Sequence, residues 1–140
     1  MNHVSLARHR LARAKENLIE AEDSSNQGHF ALAVNRSYYA MFTSARALLA
    51  LKELDSSKHS GVVSLFNQHI VKPGLFPADF SKLLREAKGL REDADYGDFV
   101  KVTAEDARQQ IENAHTFVEE AEKALSRMAQ SEEGPCRGGK

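Results

Sequence analysis

At 140 residues, with 28% charged and 41% hydrophobic side chains, the chain is long enough to bury the core of one domain, and its composition excludes wholesale disorder. A formal net charge of −1 excludes a protein that coats nucleic acid through bulk electrostatics, so any such contact has to come from a local patch. The single cysteine, Cys136, excludes an intrachain disulfide, no apolar run approaches the ~20 residues that cross a bilayer, and "MNHVSLARHRLARAKENL" lacks the apolar core of a signal peptide, so a cytoplasmic protein is expected.

Apolar spacing predicts a first helix from about Ser5 to Glu22, with Leu6, Leu11, Leu18 and Ile19 as its apolar positions. Its polar face is basic at the start, with Arg8, Arg10, Arg13 and Lys15, and acidic towards the end, with Glu16, Glu20 and Glu22. That order opposes the helix dipole by a few tenths of a kcal/mol per residue, so the basic cluster is either favoured by something else or merely tolerated. "DSSNQGH" is the following turn, with Gly28 as the breaker.

A second helix is predicted over about His29 to Lys52. It carries Arg36, Arg46 and Lys52 and no Asp or Glu. Positions seven apart on a helix differ by only ~20°, and those three or four apart flank them. Arg36, Tyr39, Ala40 and Thr43 therefore share one face, Arg46 lies at its edge, and Tyr38 points nearly the opposite way. An Arg offers a planar fork of donors that fits a phosphate and keeps its charge, so this polar track reads as a ligand-binding face for Arg36, Tyr39, Thr43 and Arg46. The competing reading pairs Arg36 with an acidic residue of "REDADYGD" or of the last helix.

"DSSKHSGVVSLFNQHIV" predicts a short helix with Asp55, Ser56 and Ser57 as candidate N-caps, ending at Pro73-Gly74. His59 stands at its start, where backbone N–H groups attract anions and an imidazole could move a proton near neutral pH. His69 falls on a different face, and His3, His9, His29 and His115 lie in terminal or exposed contexts. No histidine pair has metal-binding spacing, so neither a metal nor a cofactor is expected.

After "KPGLFP" a helix is predicted over about Ala78 to Leu90, and "REDADYGDFVKV" reads as an ordered loop or turn. Its Arg91, Asp93, Asp95 and Tyr96 are candidates for a supporting layer that holds Arg36 or His59 in place. Thr103, with Asp106 three residues on, caps the last helix as an imperfect capping box. Ile111, Ala114, Phe117, Val118, Ala121 and Leu125 form its apolar stripe. Residues 130–140 are expected to be a disordered tail behind a single domain of residues 1–129. The expected architecture is all-α, an antiparallel up-and-down bundle of four long helices plus a short one.

Three blocks, "NRSYYAMFTSARALL", "SKHSGVVSLFNQHIVKPGLFP" and "GLREDADYGDFVKVTAEDA", together resemble the HEPN domain family of prokaryotic small proteins, in order and over about Leu6 to Leu125. The resemblance implies a helical bundle that commonly forms a homodimer, often encoded beside a minimal nucleotidyltransferase in a toxin–antitoxin pair. It also implies that active members are metal-independent endoribonucleases carrying an Arg followed, after four to six residues, by a His. Arg36 matches the arginine of that signature, while Met41, Phe42 and Thr43 stand where the histidine would be. A threonine hydroxyl can hold a phosphate, but its pKa is too high for a general base. Three functions are therefore carried forward: a toxin-like protein binding RNA or a nucleotide in a dimer cleft, a degenerate interaction scaffold, and an endoribonuclease using Arg36 with His59 as its catalytic pair.

Overall fold

The computed structural model describes the backbone of residues 2–96 and 101–138 and the side chains of residues 2–95 and 101–130. The protein is an all-α bundle, with five α-helices among the described residues. α1 (His3–Asn26) begins two residues before the apolar pattern does, because Asn2 caps it: its Oδ1 accepts a hydrogen bond from the Ser5 N–H at 2.7 Å. Gly28 ends it at φ +82°, and the His29 and Gly28 N–H groups return to the Ser24 and Ser25 carbonyls at 2.8 and 3.0 Å. That is a Schellman cap, with glycine where the backbone turns left-handed.

α2 (Phe30–Leu51) closes with the same pair of bonds, Leu54 N–H to Leu49 O and Glu53 N–H to Ala50 O, both at 3.0 Å. Here the left-handed residue is Glu53, at φ +57°. α3 (His59–Phe66) continues into a π-helical turn, Asn67–Val71, which Gly74 closes at φ +89°. The N-cap of α3 is the extended Lys58, without a side-chain cap bond, rather than any of the three expected residues. Asp55 and Ser56 instead fold the preceding loop: Asp55 Oδ1 accepts from the Ser56 N–H at 2.8 Å, and Ser56 Oγ from the Lys58 N–H at 3.2 Å.

α4 (Ala78–Tyr96) runs through "REDADY", which the sequence pattern placed in a loop. Arg, Glu and Ala all propagate a helix, and Arg91 and Asp95 pair across one turn at 3.4 Å. The next helix breaker in the sequence is Gly97, and charge density alone does not stop a helix. α5 (Ala104–Gly138) starts with the expected box made reciprocally: Thr103 Oγ1 accepts from the Asp106 N–H, and Asp106 Oδ2 from the Thr103 N–H, both at 3.0 Å. Its backbone continues as helix into the segment expected as a tail, while the side chains of residues 131–140 lie outside the described residues.

α2 is the central helix, packed against α1, α3, α4 and α5. Alanines recur every seven residues on both members of the first pair, Ala7, Ala14 and Ala21 on α1 and Ala33, Ala40 and Ala47 on α2, and all six are fully buried. Such small side chains allow two backbones to approach closely, which leaves the longer polar residues beside the seam facing one another. On the far side of α2, Phe66, Phe76, Phe80 and Phe117 form one aromatic cluster, with neighbouring ring centroids 5.1 to 6.1 Å apart.

Candidate functional site

The polar track of α2 faces the basic cluster of α1 across that seam. A groove of about 360 Å³ runs between the two helices. α2 lines it with Arg36, Tyr39, Thr43 and Arg46, the four residues that helical spacing gathers into one track. α1 lines the other wall with His9, Arg10, Arg13 and Asn17. The helices are antiparallel: Arg10 donates to the Arg46 carbonyl at 3.3 Å, while Asn17, two turns on, meets Arg36 at 3.4 Å.

Each end of the groove has its own electrostatics. At one end Arg36 donates from Nε and Nη2 to the Asn35 amide oxygen at 3.0 and 2.7 Å, and from Nη1 to Glu20 at 3.5 Å. Its acidic partner is thus Glu20 on α1, not an acid of α5, and the long, half-exposed pair leaves the guanidinium only weakly neutralised. At the other end Asp55 accepts from Arg46 at 2.9 Å and from Arg10 at 3.2 Å, so one carboxylate serves two guanidiniums. Burial alone raises the Asp55 pKa, but the Arg46 hydrogen bond, the Ser56 N–H and the charges of Arg46 and Arg10 outweigh it and hold the carboxyl below 3.8. Among the described residues no carboxylate lines the groove itself; Asp55, Glu16 and Glu20 stand beside it, each paired with one or two of its arginines.

Behind α2 lies a second layer. Arg91, 8% exposed, sits over the rings of Tyr38 and Tyr39, at 5.0 and 5.7 Å from their centroids. Asp95 pairs with Arg91 and accepts from the Asn35 amide at 3.5 Å, so α4 steadies Arg36 through Asn35. Asp93 is exposed, and the side chain of Tyr96 lies outside the described residues. His59 packs among Tyr38, Tyr39 and Phe42, with its Nδ1 at 3.3 Å from the Tyr38 hydroxyl. Burial, then the charges of Arg91, Lys88 and Arg46, push its pKa below 6.5 and favour the neutral imidazole. Burial likewise pushes the Tyr38 phenol up to about 12, against the charge of Arg91.

His59 does not line the groove; its link to Arg36 is Tyr39, whose ring meets His59 at 5.8 Å and Arg36 at 5.2 Å. Sequence spacing found the α2 wall and missed the α1 wall, although the basic cluster placed against its own helix dipole was a visible sign of it. Asp55, a cap candidate by sequence, instead pairs with Arg10 and Arg46 at one end of the groove.

The family model for the HEPN domain matches residues 7–124. The chain belongs to the HEPN family. Three relatives agree over most of their lengths. A Methanocaldococcus jannaschii protein named "Putative toxin MJ0142" is 30% identical over 82% of this chain and 78% of its own. A second protein of that organism, "Putative toxin MJ0605", is 36% identical over 82% and 85%. A "UPF0332 protein" of Thermotoga maritima is 36% identical over 81% and 86%. The match covers α1 to most of α5, so both walls of the groove belong to the HEPN domain.

Among the described residues no three His, Cys, Asp or Glu side chains are grouped as a metal ion requires, and no helix is long and apolar enough to cross a membrane. The chemistry in place is that of guanidinium cations, a phenol, a hydroxyl and the imidazole of His9 along one cleft. Such a set can bind and orient a phosphate ester, while His59, the histidine expected from the sequence, lies outside the lining.

Proposed function

We propose that this HEPN protein is toxin-like and binds RNA, or a nucleotide, through the phosphate, with Arg36, Tyr39, Thr43 and Arg46 as contacts. The observation that carries this reading is that four arginines from two helices line one groove free of carboxylates. Arg36 supplies a charged fork, Tyr39 a flat face for a base or a hydroxyl for a phosphate, and Thr43 a further hydrogen bond. The names of the two Methanocaldococcus relatives support a toxin context. The homodimer with the groove in its cleft and the nucleotidyltransferase antitoxin are part of this proposal and rest on the family resemblance alone.

One observation favours a second reading, cleavage of RNA with His59 as the base: its imidazole is held neutral, the form that accepts a proton. Its place behind Tyr39, away from the groove lining, favours binding over cleavage.

The test is purified protein with structured RNA in EDTA, beside Arg36→Ala and His59→Ala. Arg36-dependent binding without cleavage is the expected result. Cleavage lost in both variants replaces it with the nuclease reading, and RNA binding unchanged in Arg36→Ala overturns the site.

A further inference from the structure

The groove is longer than one phosphate. Arg36 and Arg46 are ten residues apart on one helix, which at ~1.5 Å per residue separates their α-carbons by ~15 Å. Their guanidiniums are held at opposite ends, Arg46 by Asp55 and Arg36 by Asn35, Asn17 and Glu20, so in this arrangement they do not converge on one phosphate. Between them, from the opposite wall, stands Arg13, one turn beyond Arg10 and one turn before Asn17. The order along the cleft is therefore Arg46 with Arg10, then Arg13, then Arg36 with Asn17.

These cations differ in how the protein holds them. Arg10 and Arg46 share Asp55, and Arg36 is fixed by Asn35, Asn17 and Glu20. Arg13 is 63% exposed and pairs with Glu16 of its own helix at 3.0 Å, a contact that costs little to exchange for another anion. Arg13 stands about three turns into α1, and its exposed guanidinium is the cation of the groove most open to a ligand.

We infer that Arg13, with Arg10 beside it on α1, forms a second phosphate position next to the one at Arg36, so that the groove takes a single strand carrying consecutive phosphates rather than a mononucleotide. The inference rests on the proposed reading of the groove as an RNA phosphate site. It names the class of ligand: a single-stranded segment of at least two or three linked nucleotides, whose backbone follows the α1–α2 seam while one base lies against Tyr39. The arginines see only charge along the backbone, so base identity contributes little on this wall.

The experiment is a binding series with oligoadenylate RNAs of one, two, four and eight nucleotides, measured across a range of salt for wild type, Arg13→Ala and Arg36→Ala. Affinity is expected to rise at least tenfold from one to four nucleotides and then to level off. The slope of log affinity against log salt for the four-nucleotide RNA is expected to fall by ~0.7, the contribution of one phosphate on a single strand, in Arg13→Ala. In that variant the mononucleotide is expected to lose less affinity than the four-nucleotide RNA. Circular dichroism and the unfolding midpoint check that the exposed substitution leaves the fold intact.

Binding that depends on Arg36 but is indifferent to length, or to Arg13, overturns the second position and leaves the phosphate reading standing. Binding of every RNA that is indifferent to Arg36 as well overturns both. A groove that takes an acidic protein instead would show no oligoadenylate binding at any length, and that outcome also overturns both.

Discussion

His59 Nδ1 lies 3.3 Å from the Tyr38 phenol oxygen, and its ring packs on Phe42 with centroids 4.3 Å apart. The pair ties the first turn of α3 to the middle of α2. With the phenol pushed up to about 12 and the imidazole favoured as neutral, one proton lies between them through the neutral pH range. The contact therefore costs the fold nothing until the histidine is forced to charge.

That condition gives a pH dependence with a definite sign. Burial and the charges of Arg91, Lys88 and Arg46 hold the folded-state pKa of His59 below 6.5, so the unfolded chain takes up the proton first. Stability is then fully present above about pH 6.5 and is lost as pH falls below it towards the folded value. Denaturant unfolding of wild type and His59→Gln at pH 7.5 and 5.5 checks this. Wild type should lose more stability over that interval than the variant, and an equal loss in both would remove His59 as the cause. At pH 7.5 the substitution itself should cost about 1 kcal/mol.

Local regularities carried most of what the sequence disclosed. A 3.6-residue period placed all four long helices, glycine marked the end of α1 at Gly28, and the Thr103–Asp106 spacing marked the start of α5. The same period put Arg36, Tyr39 and Thr43 on one face, and they do share one groove. Contacts made by distant parts of the chain were not legible. Asp55 lies 45 residues from Arg10, and nothing in either local pattern says that one carboxylate meets two guanidiniums. The acidic, glycine-containing text of "REDADYGDFVKV" suggests a loop, whereas the Arg91–Asp95 pair is itself a helical contact.

Asp55 is a built-in competitor for the groove. A phosphate approaching Arg10 and Arg46 has to displace its carboxylate from both, so Asp55→Asn should bind a four-nucleotide RNA about threefold to tenfold more tightly at low salt, with the gain shrinking as salt rises. The variant should also be less stable at neutral pH, by up to about 1 kcal/mol for these half-exposed pairs. The sign follows from a carboxyl held below 3.8: its contribution is present above that value and is lost as pH falls through the lower folded one. Binding and unfolding measured on the same preparation check both arms. An affinity that falls instead would mean that Asp55 positions the arginines more than it blocks them.

Glu53 is the one left-handed non-glycine among the described residues, at φ +57°, and it occupies the position that Gly28 and Gly74 fill in the two other caps of this kind. A β-carbon there crowds the following carbonyl, a cost of roughly 1 kcal/mol that glycine avoids. Glycine is also freer in the unfolded chain, which offsets part of the gain. Glu53→Gly should therefore stabilise the protein by about 0.5 kcal/mol, read as a higher denaturant midpoint at unchanged slope. An unchanged or lower midpoint would show that the turn relieves this strain by other means.

Gly61 answers a different need, since its backbone is ordinary helix and the constraint is space. A β-carbon at this position would lie 2.8 Å from Ser56 Cβ and closer still to Ser56 Oγ. Ser56 cannot simply rotate away, because its Oγ accepts the Lys58 N–H at 3.2 Å and so shapes the loop that leads into α3. Gly61→Ala must push this loop outward, and the loop carries Asp55. The expected cost is about 1–3 kcal/mol, as for other overpacked contacts. Removing the obstacle tests the cause: Ser56→Gly is expected to be mildly destabilising alone, and in the double variant to recover at least half of the Gly61→Ala loss, a coupling that independent sites would not show. If the two effects merely add, the close approach of helix and loop is not what requires glycine at position 61.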